Sequence, residues 1–186
     1  MALEVNFLGA PALDGKAFGA YDQRWIAGAS LRVVAPTGDY ESDKLLNLGS
    51  NRWTIKPEVG FSRALKKWTF EGAGSVWFFT DNEDFFGGNL LSQRALHVLK
   101  GHMIYSFRSG FWTALGAGWG NGGQTFVNDE ARQTLQSNWR FLWTLAYPIT
   151  PAQGLLFGLG SAVTRRAGGD YDTISIGYQY AWGGKR

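Results

Sequence analysis

Bulky apolar residues alternate with polar or small residues along several stretches of the chain. Trp139, Phe141, Trp143, Leu145 and Tyr147 occupy every second position of one stretch, and Asn, Arg, Leu, Thr and Ala fill the positions between them. A period of two residues places successive side chains on opposite faces of a β-strand. This stretch therefore predicts a strand with one aromatic face and one polar face.

The same alternation recurs along the chain, so it is not a single coincidence. Near the C-terminus, Ile174, Ile176 and Tyr178 alternate with Ser175 and Gly177. The pattern, together with turn residues between the runs, predicts about nine strands. They lie near residues 2–9, 23–35, 52–63, 67–80, 95–107, 111–120, 136–147, 153–164 and 171–182.

Short and long connections alternate between the predicted strands. The links at 66–68, 108–111 and 148–153 are brief, whereas those at 37–52, 81–94 and 121–136 are long, polar and rich in glycine. Outer-membrane barrels have brief turns on the periplasmic side, longer loops outside, and an apolar face toward lipid. We therefore predict an all-β fold, an antiparallel transmembrane β-barrel.

The predicted strand number is odd, whereas a complete bacterial barrel has an even number. The first residues also lack the basic and apolar regions of an export signal. We therefore expect the chain to be truncated at its N-terminus, with residues 1–186 forming one outer-membrane domain, the C-terminal part of a twelve-stranded barrel. A miscount of one strand is the alternative explanation.

Composition excludes several other classes of protein. The 186 residues include no cysteine, 16% aromatic residues and 18% charged residues, which does not fit a disordered chain. No apolar run approaches the roughly 20 residues of a membrane-spanning helix. Lys and Arg are scattered without a basic cluster, so we expect no nucleic-acid partner.

Several motifs resemble those of the outer-membrane transporter family named "Putative MetA-pathway of phenol degradation". They are GAPAL at 9–13, LRVVAPTGDY at 31–40, NLGSNRW at 47–53, KPE at 56–58, WFFTDN at 77–82 and YQYAW at 178–182. The resemblance implies a β-barrel in the outer membrane with a role in the uptake of aromatic or other hydrophobic compounds. Members of the family are usually longer at the N-terminus. The resemblance brings no catalytic or binding residue with it.

Polar side chains on the inward face would line the lumen of such a barrel. Alternation predicts the lumen-facing residues Arg32, Lys56, Glu58, Glu71, Trp77, Lys100, His102 and Arg140. These groups either select and guide a solute, or pair across strands to form a closed, ion-paired structural or ligand-binding interior without transport. Lys56 and Glu58 flank Pro57 on one face, so we expect an ion-pair network there, with Glu71 as a neighbour. An inward Trp77 is the candidate for contacting an aromatic solute.

Aromatic residues near the predicted strand ends suit the interface between lipid and water. Trp68, Trp112, Tyr147 and Trp182 take these positions and favour membrane anchoring over ligand stacking. The expected partners are therefore outer-membrane lipid and lipopolysaccharide, with a small hydrophobic or aromatic solute in addition. The sequence leaves the oligomeric state open.

Enzymatic and metal-dependent alternatives find little support in the sequence. His97 and His102 are five residues apart, which puts them on opposite faces of a regular strand. Ser92 and Asp84 precede His97 without any nucleophile motif, and the glycine run at 116–123 lacks the strand and helix of a phosphate loop. We predict a protein that is not an enzyme and has no catalytic, cofactor-binding or metal-binding residue.

Overall fold

Two antiparallel sheets make up the described part of the protein. The computed structural model describes residues 1–14, 17, 20, 21 and 24–182. Thirteen strands form within these residues. They are β1 (Ala2–Leu8), β2 (Trp25–Val34), β3 (Thr54–Leu65), β4 (Trp68–Phe79), β5 (Asn82–Phe85), β6 (Asn89–Gln93), β7 (Leu96–Arg108), β8 (Phe111–Gly122), β9 (Thr125–Val127), β10 (Glu130–Ala131), β11 (Gln136–Thr150), β12 (Gln153–Thr164) and β13 (Tyr171–Tyr180).

The main sheet contains nine of the strands found in the described residues. Their order is β1-β2-β3-β4-β7-β8-β11-β12-β13, and every neighbouring pair is antiparallel. These strands lie where the alternation predicts strands, with ends that differ by a few residues. The all-β, antiparallel fold class is therefore confirmed.

The outer edges of the main sheet stay unpaired among the described strands. β1 is bonded to β2 alone and β13 to β12 alone, so the sheet is open between them. A closed barrel, its twelve strands, the N-terminal truncation and the single domain all stay predictions.

Tight turns lie at one end of the main sheet, which we call the turn end. Lys66 and Lys67 join β3 to β4, Ser109 and Gly110 join β7 to β8, and residues 151–152 join β11 to β12. Gly110 has a φ of 73°, a left-handed backbone conformation that glycine adopts without a steric cost. The opposite end, which we call the loop end, carries the segments 35–53, 80–95, 123–135 and 165–170.

A small sheet at the loop end is a feature that the sequence did not predict. Its order is β10-β9-β6-β5, and it is built from the two segments that were expected to be irregular loops, 81–94 and 121–136. Its strands have only two to five residues, too few to show a clear period of two. The Asn128 side chain holds the sheet together, because its Oδ1 accepts from the Leu90 amide at 2.8 Å and its Nδ2 donates to Asn89 Oδ1 at 2.7 Å.

Asn82 joins the small sheet to the segment 35–53. Its side chain is only 1% exposed. The Nδ2 group donates to Tyr40 Oη at 2.9 Å and to the Ser50 carbonyl at 3.4 Å. The Oδ1 atom accepts from Asn51 Nδ2 at 3.0 Å and from the Asp84 amide at 3.1 Å. All of the hydrogen-bonding capacity of this buried amide is therefore used.

Within the described ranges, no layer packs on either face of the main sheet to form a hydrophobic core. Among the described residues, the buried apolar side chains are Ala146 and Ala162 alone. Large apolar side chains are instead exposed, such as Ile174 at 81% and Val59 at 61%. No helix in the described part of the chain has both the length and the apolar character that crossing a membrane requires.

Candidate functional site

Strand pairing divides the side chains of the main sheet between two faces. Directly paired residues share a face, and successive residues alternate. All eight side chains predicted to line a lumen fall on one face, which we call the polar face; the other is the apolar face. The pairs that place them are Arg32 with Lys56, Glu58 with Ser75, Glu71 with His102, Trp77 with Leu96, Lys100 with Gly118, and Gly118 with Arg140. A lumen at this face stays a prediction.

Three charged residues meet near the middle of the polar face. Glu58 Oε2 lies 2.8 Å from Lys56 Nζ and 3.0 Å from Lys100 Nζ. The sequence predicted an ion pair between Lys56 and Glu58, which share β3. Lys100 comes from β7, two strands away, and its participation follows from the order of the strands in the sheet.

Glu71, predicted as a neighbour of Lys56 and Glu58, is paired with His102. Its Oε2 lies 3.9 Å from His102 Nδ1, and these residues are directly opposite each other on β4 and β7. The ion pairs of Glu58 involve the two lysines, whereas Glu71 belongs to a separate pair. Both carboxylates line one cavity of about 380 Å³, together with Lys100 and His102.

Trp77 lies beside the three-residue charge cluster. The Nζ atom of Lys56 lies 5.1 Å from the centre of the Trp77 ring, within the range of a cation–π interaction. Lys56 thus contacts a carboxylate and an aromatic ring at once. The indole and the ammonium group present an apolar surface and a positive charge side by side.

Glycine residues leave part of the polar face without side chains. Gly116, Gly118 and Gly120 occupy successive polar-face positions of β8. They lie in the floor of a cavity of about 530 Å³ whose lining also includes Lys56, Trp77, Lys100, His102, Asn138, Arg140 and Leu142. Asn138 and Leu142 were not among the predicted lumen residues, although they occupy the polar-face positions on either side of Arg140 in β11.

Aromatic rings form a continuous chain of contacts along the turn end of the apolar face. Ring centres are separated by 4.7 Å between Trp68 and Tyr105, 4.9 Å between Tyr105 and Phe107, 4.5 Å between Phe107 and Phe111, and 5.6 Å between Phe111 and Tyr147. We call these five residues the aromatic belt. It spans β4, β7, β8 and β11, and its rings contact one another across strand boundaries.

The belt differs in part from the anchoring residues that the sequence suggested. Trp68 and Tyr147 belong to it, but Trp112 pairs with Ser106 and Ala146, which puts it on the polar face. Phe111 takes the position on the apolar face instead. Trp182 follows β13, is 82% exposed, and has its ring centre 6.0 Å from that of Tyr180.

The histidines lie on opposite faces of β7, as their spacing predicts. His97 pairs with Val76 and His102 with Glu71. Ser92 lies in β6, where it pairs with Phe126, and Asp84 lies in β5. Within the part of the chain that the structure describes, no group of three or more metal-ligating side chains converges.

Arg52 is a further charged residue at the loop end, and it was not predicted as a site residue from the sequence. Its Nη2 donates to Gln93 Oε1 at 2.6 Å, and its guanidinium lies 4.7 Å from the centre of the Phe79 ring. Burial lowers the pKa of Arg52, while the charge of Asp81 acts to raise it. Arg52 therefore connects the loop end of the main sheet, at Phe79 of β4, to the small sheet, at Gln93 of β6.

A solved outer-membrane protein has a similar structure. The chain aligns with the crystal structure of an outer membrane channel from Pseudomonas putida F1 with a TM-score of 0.70 and 26% sequence identity. The alignment covers 84% of this chain and 59% of the channel, so the described chain spans somewhat more than half the length of that protein.

A comparison with protein families identifies the family of the chain. No curated protein matches the chain. The model of the family described as "Putative MetA-pathway of phenol degradation" matches residues 5–176, which is nearly the whole sequence. The sequence resemblance is therefore confirmed, and the chain belongs to this family.

Proposed function

We propose that this chain forms the wall of a β-barrel channel in the outer membrane. In this proposal the apolar face contacts membrane lipid and lipopolysaccharide, and the polar face lines the lumen. One observation carries the proposal. Strand register places most of the large aromatic and aliphatic side chains on the face opposite the ionic cluster of Lys56, Glu58 and Lys100, in a sheet that has no core among the described residues.

The exposure of apolar side chains supports a lipid environment. In water, a single layer with Val59, Leu99, Ile174 and Ile176 all more than half exposed would forgo most of the free energy of apolar burial, about 25 cal/mol per Å². Hydrocarbon removes this penalty. A soluble sheet of this composition would need a second layer on its apolar face.

The spacing of aromatic residues along β11 fits the thickness of a membrane. Trp139 and Tyr147 lie eight residues apart on the apolar face, or about 26 Å along a strand at about 3.3 Å per residue. Barrel strands are tilted by about 35–45°, so this distance corresponds to about 20 Å across the membrane. That separation is comparable with the apolar band of an outer-membrane barrel, which is about 25 Å tall and has aromatic residues at both borders. The aromatic belt would mark the border at the turn end.

A membrane location also requires that the strand edges be paired. An unpaired backbone N–H or C=O group in hydrocarbon costs several kcal/mol. We therefore propose that the outer edges of β1 and β13 take part in a closed wall in the membrane. A barrel is the arrangement that satisfies every strand edge at once.

The transported solute is the finer part of the proposal. The similar protein from Pseudomonas putida F1 is called an outer membrane channel, and the family description refers to phenol degradation. We propose uptake of aromatic or other hydrophobic compounds. The Trp77 indole on the polar face supports this, because aromatic rings bind aromatic solutes by stacking or edge contacts.

A closed interior is the second candidate function. Lys56, Glu58 and Lys100 are linked by ion pairs of 2.8 and 3.0 Å. Such a network can fill and stiffen a narrow barrel instead of guiding a solute. The protein would then be a structural or ligand-binding barrel without transport activity.

Conductance measurements distinguish the two candidates. Purified full-length protein is reconstituted into a planar lipid bilayer, and single-channel currents are recorded in potassium chloride. A channel produces discrete current steps, whereas a closed barrel inserts without conducting. Insertion is verified separately by co-flotation with lipid vesicles, so that an absence of current in inserted protein contradicts the channel and supports the closed barrel.

A further inference from the structure

We propose that the glycine-floored cavity on the polar face is a binding site for small organic anions with an apolar body, such as aromatic carboxylates. The inference rests on the proposed channel function and specifies its substrate class. The cavity has a volume of about 530 Å³, a size that accommodates a single-ring compound.

Positive charge exceeds negative charge around this cavity. Lys56, Lys100 and Arg140 line it, and Glu58, which contacts the two lysines, is the carboxylate that balances them in part. Glu71, beside His102, is a second carboxylate next to the cavity. Three positive charges in the lining therefore stand against two negative charges next to it. An anion entering the cavity is attracted by the surplus, and a cation is repelled.

Arg140 is the group best suited to bind the anion. No carboxylate lies within ion-pair distance of it among the described residues, and its guanidinium is 5.8 Å from the centre of the Tyr171 ring. Its planar N–H groups are free to bind a carboxylate in a bidentate manner. Lys100 lies two strands away, on the other side of Gly118. This corresponds to about 10 Å between backbones at the usual strand spacing of about 4.8 Å.

The glycines provide the space that the ligand needs. A Cβ atom added at Gly118 would lie no closer than 3.7 Å to any neighbour, and one added at Gly120 would have no neighbour within 4 Å. Side chains at these positions would fit sterically, so local crowding does not require glycine there. Their absence keeps the floor of the cavity open between Lys100 and Arg140.

Apolar side chains on the same wall give the site its preference for an organic anion. Trp77, Leu96, Val98 and Leu142 line the cavity on the polar face. A strongly hydrated inorganic anion gains nothing from these surfaces and loses water to reach the charges. An aromatic carboxylate instead places its ring against the indole and aliphatic groups and its carboxylate near Arg140.

Isothermal titration calorimetry of the detergent-solubilised full-length protein tests the site. Benzoate is the probe, and benzyl alcohol is the neutral compound of similar shape. We expect benzoate to bind at least about tenfold more tightly than benzyl alcohol, because a charge-assisted hydrogen bond is lost with the neutral compound. Equal affinities for the two compounds would overturn the proposal.

Two variants locate the site by independent means. Arg140→Gln removes the proposed anion-binding group, and Gly120→Leu fills the cavity without changing any charge. Each is expected to weaken benzoate binding by about tenfold or more. The matched controls are Arg108→Gln, which removes a positive charge at the turn end, outside the cavity, and Gly154→Leu, where an added Cβ meets its nearest neighbour at 3.5 Å.

The outcomes separate this inference from the channel proposal. Benzoate binding that responds equally to the variants and to their controls contradicts the site, whatever the conductance. A protein that conducts but does not distinguish benzoate from benzyl alcohol remains a channel without this specificity. A protein that binds benzoate through Arg140 but carries no current retains the site, and the channel proposal is then wrong.

Discussion

Single residues on the polar face and at the loop end depend on partners that are distant in sequence. Lys56 and Glu58 are two positions apart on β3, and their contact is visible from alternation alone. Lys100 joins them only because β4 and β7 are neighbours in the sheet. Asn82 depends even more on residues that are distant in sequence, because its partners at positions 40, 50 and 51 precede it by more than thirty residues.

Replacing Asn82 should open the loop end locally. Asn82→Ala removes the four hydrogen bonds of a buried side chain, at a cost of about 1–3 kcal/mol. We expect the segment 35–53 to be cleaved by a protease about tenfold faster than in the unmodified protein, because the open population rises. Cleavage rates in detergent, followed by mass spectrometry, measure this effect.

Asn121→Ala is the matched control for that prediction. Asn121 is also near the loop end, but its side chain makes no hydrogen bond among the described residues. Its cleavage rate should remain close to that of the unmodified protein. If both variants are cleaved at the same rate, Asn82 does not hold the loop end together.

The positions of whole strands were the structural feature that the sequence predicted best. The nine strands of the main sheet have 7 to 15 residues, long enough for a period of two to stand out from chance. The strands of the small sheet have too few residues for this, and they form by pairing between segments that are distant in the chain. Trp112 shows that a residue near a strand end needs the exact register before its face is known.

The contact between Phe61 of β3 and Gly72 of β4 leads to a prediction about the stability of the main sheet. A Cβ atom added at Gly72 would lie 2.7 Å from two atoms of the Phe61 ring, so the ring rests directly on the glycine. We expect Gly72→Val to displace the ring from its preferred rotamer and to destabilise the sheet by about 1 kcal/mol. The temperature at which the folded band is lost in semi-native gel electrophoresis measures the change.

Gly60→Val provides the comparison on the polar face. Gly60 lies on β3, and an added Cβ would have its nearest neighbour at 3.5 Å, an ordinary contact distance. This variant should lower the transition temperature less than Gly72→Val does. An equal effect would mean that loss of glycine, and not displacement of Phe61, causes the instability.

At the scale of the molecule, the main sheet is a single layer with chemically different faces and without a core among the described residues. This division places the aromatic belt on one side and the ionic cluster on the other, and the proposed channel depends on it. A water-filled lumen and a lipid exterior would expose the faces to different solvents. Two side chains that are equally exposed in the isolated sheet should therefore differ in their access to water once the protein is in the membrane.

Single cysteine variants test this difference, because the chain contains no native cysteine. Phe141 and Leu142 are adjacent on β11 and are 47% and 46% exposed, but they belong to opposite faces. In lipid vesicles, the thiol of Leu142→Cys should react with a charged, water-soluble thiol reagent at least about tenfold faster than that of Phe141→Cys, since the reactive thiolate forms poorly in an apolar environment.

Labelling of the same variants after unfolding in denaturant is the control, and both thiols should then react at similar rates. A faster reaction at position 141 than at position 142 in vesicles would reverse the proposed orientation. The wall of the channel would then be built with the aromatic residues inside, and the proposed function would be wrong.

The sequence by itself determined the strands and their faces, because the period of two is a local property of an extended backbone. From it followed the shared face of all eight predicted residues and the opposite faces of His97 and His102. Only the tertiary structure decided which strands are neighbours. That order brings Lys100 to Glu58, assigns His102 to Glu71, and opens a glycine-floored cavity beside Arg140. Such contacts depend on chain segments that meet across the sheet, and no local pattern encodes them.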